Sequence, residues 1–130
     1  MVKIKYFKQS EFACKCGCPP PGHSQGRYSY ELTEEWIDTD FMERLELLRR
    51  AWGKPITVTS GYRCKQHNKN VGGGRNSKHL EGIAADLVVP KKDLKKFAEL
   101  CDRFFLDGGF SLYLKQGFVH VDGRGRKARW

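Results

Sequence analysis

The sequence predicts an α+β fold, in which helices pack on one antiparallel sheet. Two segments have the three- and four-residue apolar spacing of amphipathic helices, and four short segments have the β-branched or alternating pattern of strands. Glycine and proline separate these segments. With 130 residues, of which 39% are hydrophobic, the chain has the size of one domain and enough apolar side chains for one core.

The beginning of the chain differs in character from the rest. The first 30 residues combine a short arm, a cysteine cluster and three consecutive prolines, Pro19–Pro21, which predict irregular structure. We therefore predict a single domain over residues 1–130. Within it, residues 1–30 form an N-terminal arm and a cysteine-containing loop, and residues 31–130 form the core.

The first helix is predicted between Thr33 and Trp52. Its apolar residues are spaced by four, four, three and four: Ile37, Phe41, Leu45, Leu48 and Trp52. Gly53 and Pro55 end it. Asp38–Asp40 offers a second start, because an aspartate commonly caps the first turn of a helix.

Two core strands and a second helix follow. Ile56–Thr59 is β-branched and predicts a strand, and Ile83–Val89 predicts another. Between them, residues 60–80 are predicted to form a long loop centred on Gly72–Gly74, and loops of that length are usually functional. Pro90 is predicted to open the second helix. The apolar residues of this helix are Leu94, Phe97, Ala98, Cys101 and Phe105.

A hairpin and a basic tail complete the chain. Phe110–Leu114 and Phe118–Asp122 are separated by a short turn that contains Gly117, which predicts two paired strands. The tail, Gly123–Trp130, is rich in arginine and is predicted to lie on the surface.

The chain is strongly basic, with 24 lysines and arginines against 15 acidic residues and a net charge of +9. Such a charge suits an anionic partner, but no helix-turn-helix, zinc-finger or RNA-binding pattern accompanies it, so we do not expect nucleic acid. No apolar segment approaches the ~20 residues that span a bilayer. The first residues also lack the apolar core of a signal peptide. We therefore expect synthesis in the cytoplasm, with any export following a route that the sequence does not reveal.

Three of the five cysteines alternate along the chain as Cys14, Cys16 and Cys18. Two-residue spacing is awkward for a disulfide, whereas thiolates are good zinc ligands. One interpretation is a structural zinc site at these cysteines, completed by Cys64 or His23. The other is a reduced, partly buried turn that binds no metal. Cys101 lies on an apolar helix face and is predicted to be an inert core thiol.

The candidate catalytic ligands are two histidines and an aspartate. Asp86 lies among apolar residues in a predicted strand, and burying a carboxylate without a partner is costly. His79 precedes that strand, and His120 alternates with apolar residues in the last strand. Three such ligands leave one tetrahedral position for water, as a catalytic zinc site requires. The alternative is that each histidine caps a turn or bonds a backbone carbonyl.

The motif Ser77-x-His79-x-x-Gly82-x-Ala84-x-Asp86, followed by a later Val-His120-Val, resembles the zinc D-Ala-D-Ala carboxypeptidase family. These are peptidoglycan peptidases of the hedgehog/DD-peptidase fold, and the likeness is greatest to small stand-alone or phage-type members. It extends over Pro55–Val58 and Ser60–Arg63 and covers roughly residues 40–130. The resemblance implies that His79, Asp86 and His120 bind one catalytic Zn2+ and that Arg63 orients the substrate.

By this resemblance the expected activity is zinc-dependent hydrolysis of peptide bonds in peptidoglycan stem peptides that contain D-amino acids. The enzyme would be a carboxypeptidase or an endolysin-like endopeptidase, acting on the cell wall after phage-type release or export. The expected partners are the stem peptide and an anionic cell-wall polymer, and we expect a monomer. The alternative is a non-catalytic zinc-binding module of the same fold.

The general base is less directly implied, because the catalytic carboxylate of several family members corresponds here to Gly117. We expect Asp122 to accept the proton, since it lies on the same strand face as His120, and Glu81 is the second candidate. Alternatively, Asp122 holds a ligand histidine. Arg63 would bind a terminal carboxylate, stabilise an oxyanion or make only a surface salt bridge. Ser77 would donate to substrate or fix the loop.

Overall fold

The computed structural model describes residues 2–16 and 36–130. In these ranges the helices are α1 (Thr39–Trp52), α2 (Lys65–Asn70) and α3 (Leu94–Phe104). The strands are β1 (Thr57–Ser60), β2 (Ala84–Val88), β3 (Gly109–Tyr113), β4 (Phe118–Asp122) and β5 (Ala128–Arg129). The chain is therefore α+β, as predicted. No helix in the described ranges has both the length and the apolar character to cross a membrane.

The five strands form one mixed sheet in the order β1-β2-β4-β3-β5. The first four pair antiparallel, as predicted, whereas β5 pairs parallel to β3. The tail therefore contributes an edge strand instead of lying only on the surface. Arg129 holds it in place, because its guanidinium donates to the carboxylate of Asp102 at 2.7 Å and to the carbonyls of Gly108 and Phe105. A two-residue strand is too short for its pattern to be read from sequence.

Helix α1 begins at the second of the two predicted starts. The carboxylate of Asp38 accepts the backbone N–H of Phe41 at 3.0 Å and so caps the helix. Gly53 ends it in the left-handed conformation, with φ of 73°. Ile37 precedes the helix but is buried, and Thr33 lies outside the described residues.

The predicted loop over residues 60–80 is wrong in part, because it contains α2 and a 3-10 turn, Lys78–Glu81. Helix α2 has no apolar residue, so it carries no periodic signal. Its first turn is capped by Cys64, whose Sγ accepts the backbone N–H of His67 at 3.4 Å. Its one buried side chain is that of Asn68.

Helix α3 follows a 3-10 turn after Pro90 and packs against α1, β3 and β4. The predicted apolar face is confirmed, since all of its members are buried: Leu94, Phe97, Ala98, Cys101 and Phe105. Burial raises the pKa of the Cys101 thiol, which keeps it protonated and unreactive.

The N-terminal arm is part of the core. Phe7 and Phe12 are buried in the same apolar cluster as α1, α3 and the central strands. Glu46 on α1 holds the arm, because its Oε1 accepts the backbone N–H groups of Lys5 at 3.1 Å and Tyr6 at 2.9 Å. The arm is thus held on α1 and contributes to the same core.

Contact between the arm and the chain after β1 is close. The backbone N–H of Tyr62 donates to the carbonyl of Phe12 at 2.9 Å. At Gly61 there is no room for a side chain, since a Cβ would lie 2.6 Å from the Cα of Phe12. The arm therefore packs directly against residues 61–62.

Candidate metal centre

The two central strands bring a carboxylate and an imidazole side by side. Asp86 on β2 is directly opposite His120 on β4 in the antiparallel register. His79 comes from the 3-10 turn that precedes β2, and Gly82 ends that turn in the left-handed conformation with φ of 70°. All three side chains are buried. We call these three residues the His–Asp centre.

The spacing of the ligand atoms suits a zinc ion. Asp86 Oδ1 lies 3.2 Å from His79 Nε2 and 3.1 Å from His120 Nδ1. All three atoms lie within 4.8 Å of one another. A tetrahedral zinc with Zn–N and Zn–O bonds of ~2.0–2.1 Å separates its ligand atoms by about 3.3–3.4 Å. The residues present therefore fit the ion that the sequence implies.

The outer nitrogens of both imidazoles are hydrogen-bonded. His79 Nδ1 lies 2.6 Å from the carbonyl oxygen of Gly61, which can only accept, so Nδ1 carries the proton and Nε2 is left for a metal. His120 Nε2 lies 2.9 Å from Asp122 Oδ2, so Nδ1 is left in the same way. Such outer contacts set the tautomer and the orientation of a ligand histidine.

Asp122 has no exposed surface, and both its oxygens are engaged. Besides the contact with His120, it accepts from the backbone N–H of Gly109 at 2.9 Å. The Arg124 guanidinium donates to both oxygens, at 2.9 and 2.8 Å. Burial alone would raise the pKa of Asp122, but the hydrogen bonds from Arg124 and His120 outweigh it and hold the pKa well below its usual range. This geometry suits the holding of His120 better than the uptake of a proton from the cavity.

Hydrogen bonding also sets the charges of two residues of the His–Asp centre. Burial would raise the pKa of Asp86, but its contacts with the imidazoles of His120 and His79 hold the pKa well below its usual range. Burial would lower the pKa of His120, but its bonds to Asp122 and Asp86 raise it overall. Asp86 is thus ionised at neutral pH, as a metal ligand must be.

Arg63 lies beside the centre and is held at three points. Its Nε donates to Ser60 Oγ at 3.2 Å, its Nη1 to Asn68 Oδ1 at 3.2 Å, and its Nη2 lies 3.4 Å from Asp86 Oδ2. Asn68 in turn donates to the carbonyl of Gly74. The arginine predicted to orient the substrate therefore faces the His–Asp centre, and the surface salt bridge weighed from sequence does not describe it.

The centre lines a cavity of about 610 Å3. Its lining includes three basic side chains, Arg63, Lys78 and Arg124, and three aromatic ones, Tyr113, Phe118 and Trp130. Asp86 is the only carboxylate among the described residues that line it. Basic side chains and this aromatic wall therefore make up much of the lining, and each of the three basic side chains is paired with a carboxylate: Asp86, Glu81 and Asp122.

Sequence reasoning missed the aromatic wall and Arg124. Tyr113 and Phe118 stack at 4.5 Å across the β3–β4 hairpin. The indole of Trp130 lies 5.1 Å from the His120 ring and donates to the hydroxyl of Tyr113. The Arg124 guanidinium lies 5.0 Å from the Trp130 ring. The tail is rich in basic residues, which predicted only a solvated surface. The position of Arg124 two residues after Asp122 could have indicated a contact between the two side chains.

The other predicted site residues are placed as follows. Ser77 lines the cavity, and its Oγ accepts the backbone N–H of His79 at 3.3 Å, which fixes the turn. Glu81 is exposed, bonds Lys78 Nζ at 2.8 Å and is not among the lining residues. Gly117 lies in the β3–β4 turn with φ of 84°.

Two of the three clustered cysteines lie close to Cys64, which the sequence offered as a completing ligand. The structure brings Cys14 and Cys16 together with Cys64, whose sulfurs lie within 4.8 Å of one another. Cys18 and His23, which were also considered, lie outside the described residues. We call Cys14, Cys16 and Cys64 the thiol cluster.

Two imidazoles and one carboxylate that converge beside a cavity have the arrangement of a metal-binding site. The family model described as Peptidase M15 matches residues 5–122. The chain therefore belongs to the peptidase M15 family, which is consistent with the hedgehog/DD-peptidase-like fold expected from the sequence. The zinc D-Ala-D-Ala carboxypeptidase of Streptomyces albus G is 53% identical over 47 residues, which make up 35% of this chain and 18% of that relative.

Proposed function

We propose that the protein is a zinc peptidase that hydrolyses peptide bonds in D-amino-acid-containing stem peptides of bacterial peptidoglycan. The observation that carries the proposal is the His–Asp centre, whose three ligand atoms have the spacing of a zinc site and whose outer nitrogens are already bonded. Membership of a peptidase family and the name of the partial relative support the substrate class.

His79, Asp86 and His120 would hold the ion. When bound, zinc would lower the pKa of a water toward ~7 and polarise the carbonyl of the scissile bond. Gly61 and Asp122 keep the two imidazoles in the tautomers that leave Nε2 of His79 and Nδ1 of His120 for the metal.

Arg63 suits a substrate peptide with a free carboxylate. It is held in a fixed orientation by Ser60 and Asn68, so its guanidinium loses little freedom when it binds a carboxylate. Arg124 and Lys78 also line the cavity, where they are paired with Asp122 and Glu81. We propose that Arg63 binds the substrate, that Ser77 assists, and that the aromatic wall packs on the peptide.

We assign Asp122 to positioning His120, not to accepting the proton of the attacking water. All the oxygen lone pairs of Asp122 face donors within the protein, and its side chain has no exposed surface. Glu81 is paired with Lys78 and is not itself among the residues that line the cavity. We further propose that residues 1–130 form a single domain that acts as a monomer on the cell wall. Its positive charge would be attracted to an anionic wall polymer.

The test is hydrolysis of purified muropeptides by zinc-loaded protein. We expect release of a new amine and a matching loss of mass, abolished by a chelator, restored by zinc, and absent in His79→Ala. Glu81→Gln is the matched control and should remain active. Cleavage that persists in His79→Ala would contradict the proposal.

A second candidate is a zinc-binding module of the same fold without activity. It is favoured by the position of Gly117 and by the engagement of Asp122 and Glu81, which leave the cavity lining, as far as the structure describes it, without a second carboxylate. Protein that holds zinc at the His–Asp centre but cleaves no muropeptide would establish this alternative.

A further inference from the structure

The thiol cluster joins two parts of the chain that are 48 residues apart in sequence. Cys14 and Cys16 follow a 3-10 turn in the N-terminal arm, Gln9–Phe12, whereas Cys64 follows Arg63. Cys16 Sγ lies 3.3 Å from Cys14 Sγ and 3.5 Å from Cys64 Sγ. Both separations exceed the ~2.05 Å of a disulfide, so these sulfur pairs are not covalently linked.

The separations are close to those of a metal–thiolate site. A tetrahedral zinc with Zn–S bonds of ~2.3 Å holds its sulfurs about 3.8 Å apart. Three sulfurs within 4.8 Å of one another therefore surround a point at which a zinc ion fits with small side-chain adjustments. Sulfur ligands select zinc and similar soft ions over magnesium or calcium.

Two of the sulfurs also receive backbone hydrogen bonds. Cys14 Sγ accepts the N–H of Cys64 at 3.4 Å, and Cys64 Sγ accepts the N–H of His67 at 3.4 Å. N–H donors directed at sulfur stabilise the thiolate, which is the form that binds metal.

We propose that Cys14, Cys16 and Cys64 bind a second, structural zinc ion, which ties the N-terminal arm to the segment that supports the His–Asp centre. That segment contains Gly61, whose carbonyl holds His79, and Arg63, which contacts Asp86. The arm contacts it through the hydrogen bond from Tyr62 to Phe12. A metal cross-link at Cys64 closes a loop of about 50 residues and favours the folded state by restricting the unfolded chain.

The test counts zinc in purified full-length variants by elemental analysis. We expect two zinc ions per chain in the wild type and one in Cys16→Ser, whose side chain is exposed, so that the substitution disturbs little packing. His79→Ala should also hold one. Cys101→Ala is the matched cysteine control and should keep two.

Cobalt distinguishes the two sites, because only sulfur ligands give a thiolate-to-metal charge-transfer absorption. His79→Ala loaded with cobalt should show this band, and the double variant His79→Ala/Cys16→Ser should not. A chelator should lower the melting temperature of His79→Ala but leave that of the double variant unchanged. These readouts require no peptidase activity, so they can fail or succeed independently of the proposed function.

Cys64→Ser is the second variant, should Cys16→Ser fold poorly. A serine oxygen can still accept the N–H of His67 and cap α2, so the helix start is preserved while the sulfur is lost. The proposal is overturned if wild type binds only one zinc, if both cysteine variants keep two, or if mass spectrometry of the wild type as purified shows a disulfide between Cys16 and Cys64.

Discussion

Replacement of Asp122 by asparagine separates its two candidate roles. The side chain keeps its shape, but one acceptor oxygen becomes an NH2 group. If the remaining oxygen faces Gly109 and Arg124 Nε, the new NH2 group meets donors at His120 Nε2 and Arg124 Nη2. The His120 imidazole avoids this donor–donor contact by carrying its proton on Nδ1, which is the nitrogen that would bind the metal.

The expected consequence is a loss of zinc affinity. Removing the outer partner of a ligand histidine typically weakens metal binding by about 10- to 100-fold, or roughly 1.4–2.7 kcal/mol. We expect the zinc affinity of Asp122→Asn to be lowered by a factor in that range. Its kcat should recover to most of the wild-type value when zinc is saturating. A competition titration against a chelator measures the affinity, and muropeptide hydrolysis at saturating zinc measures kcat.

The opposite pattern would refute the reasoning. Loss of a general base costs about 10²- to 10⁴-fold in rate at a metal site that is still fully loaded. If Asp122→Asn binds zinc like the wild type and loses kcat to that extent, Asp122 is the base. Glu81→Gln, which alters an exposed carboxylate paired with Lys78, should change neither quantity.

Three further changes test the supports around the site. Arg63→Lys keeps the charge but loses the planar guanidinium, so KM should rise about tenfold when measured at saturating zinc; a loss confined to kcat would instead indicate oxyanion stabilisation. Gly61→Ala places a Cβ against the Phe12 backbone and should lower the free energy of unfolding in urea by about 1–3 kcal/mol, whereas Gly74→Ala, with nothing within 4 Å, should be nearly neutral; equal effects would contradict the close contact. Glu46→Gln should cost about 1–3 kcal/mol at neutral pH. Burial raises the pKa of Glu46, but the N–H groups of Tyr6 and Lys5 lower it below its ordinary 4.5. The ionised carboxylate therefore stabilises the fold fully above pH 4.5, and this stabilisation is lost as pH falls through the folded pKa. The difference in unfolding free energy between wild type and Glu46→Gln should shrink in acid, and a difference independent of pH would refute this reasoning.

Much of the fold could be predicted because its signals are local. The apolar spacing in α1 and α3, the β-branched run of β1 and the mostly apolar run of β2 reflect burial of one face or of a whole segment, which each segment displays by itself. Helix α2 and strand β5 could not be predicted in this way. One has no apolar residue and the other has two residues, so both depend on contacts with distant parts of the chain.

The candidate site likewise has residues that the sequence indicated and contacts that it did not. His79 and Asp86 are linked by a short, specific spacing, and alternation in β4 pointed to His120. By contrast, the contact of Arg63 with Asp86 and the approach of Cys64 to Cys14 join residues that are 23 and 50 positions apart in sequence. Trp130 approaches His120 from beyond the end of β5.

The sequence by itself determined the α+β class, the principal helices and strands, and the three candidate ligands of the His–Asp centre. Only the tertiary structure decided which sulfurs meet, which side chains line the cavity and which groups Asp122 contacts. The physical reason is that periodicity and motif spacing record how each segment is buried. The partners of a side chain, in contrast, depend on how the segments pack against one another.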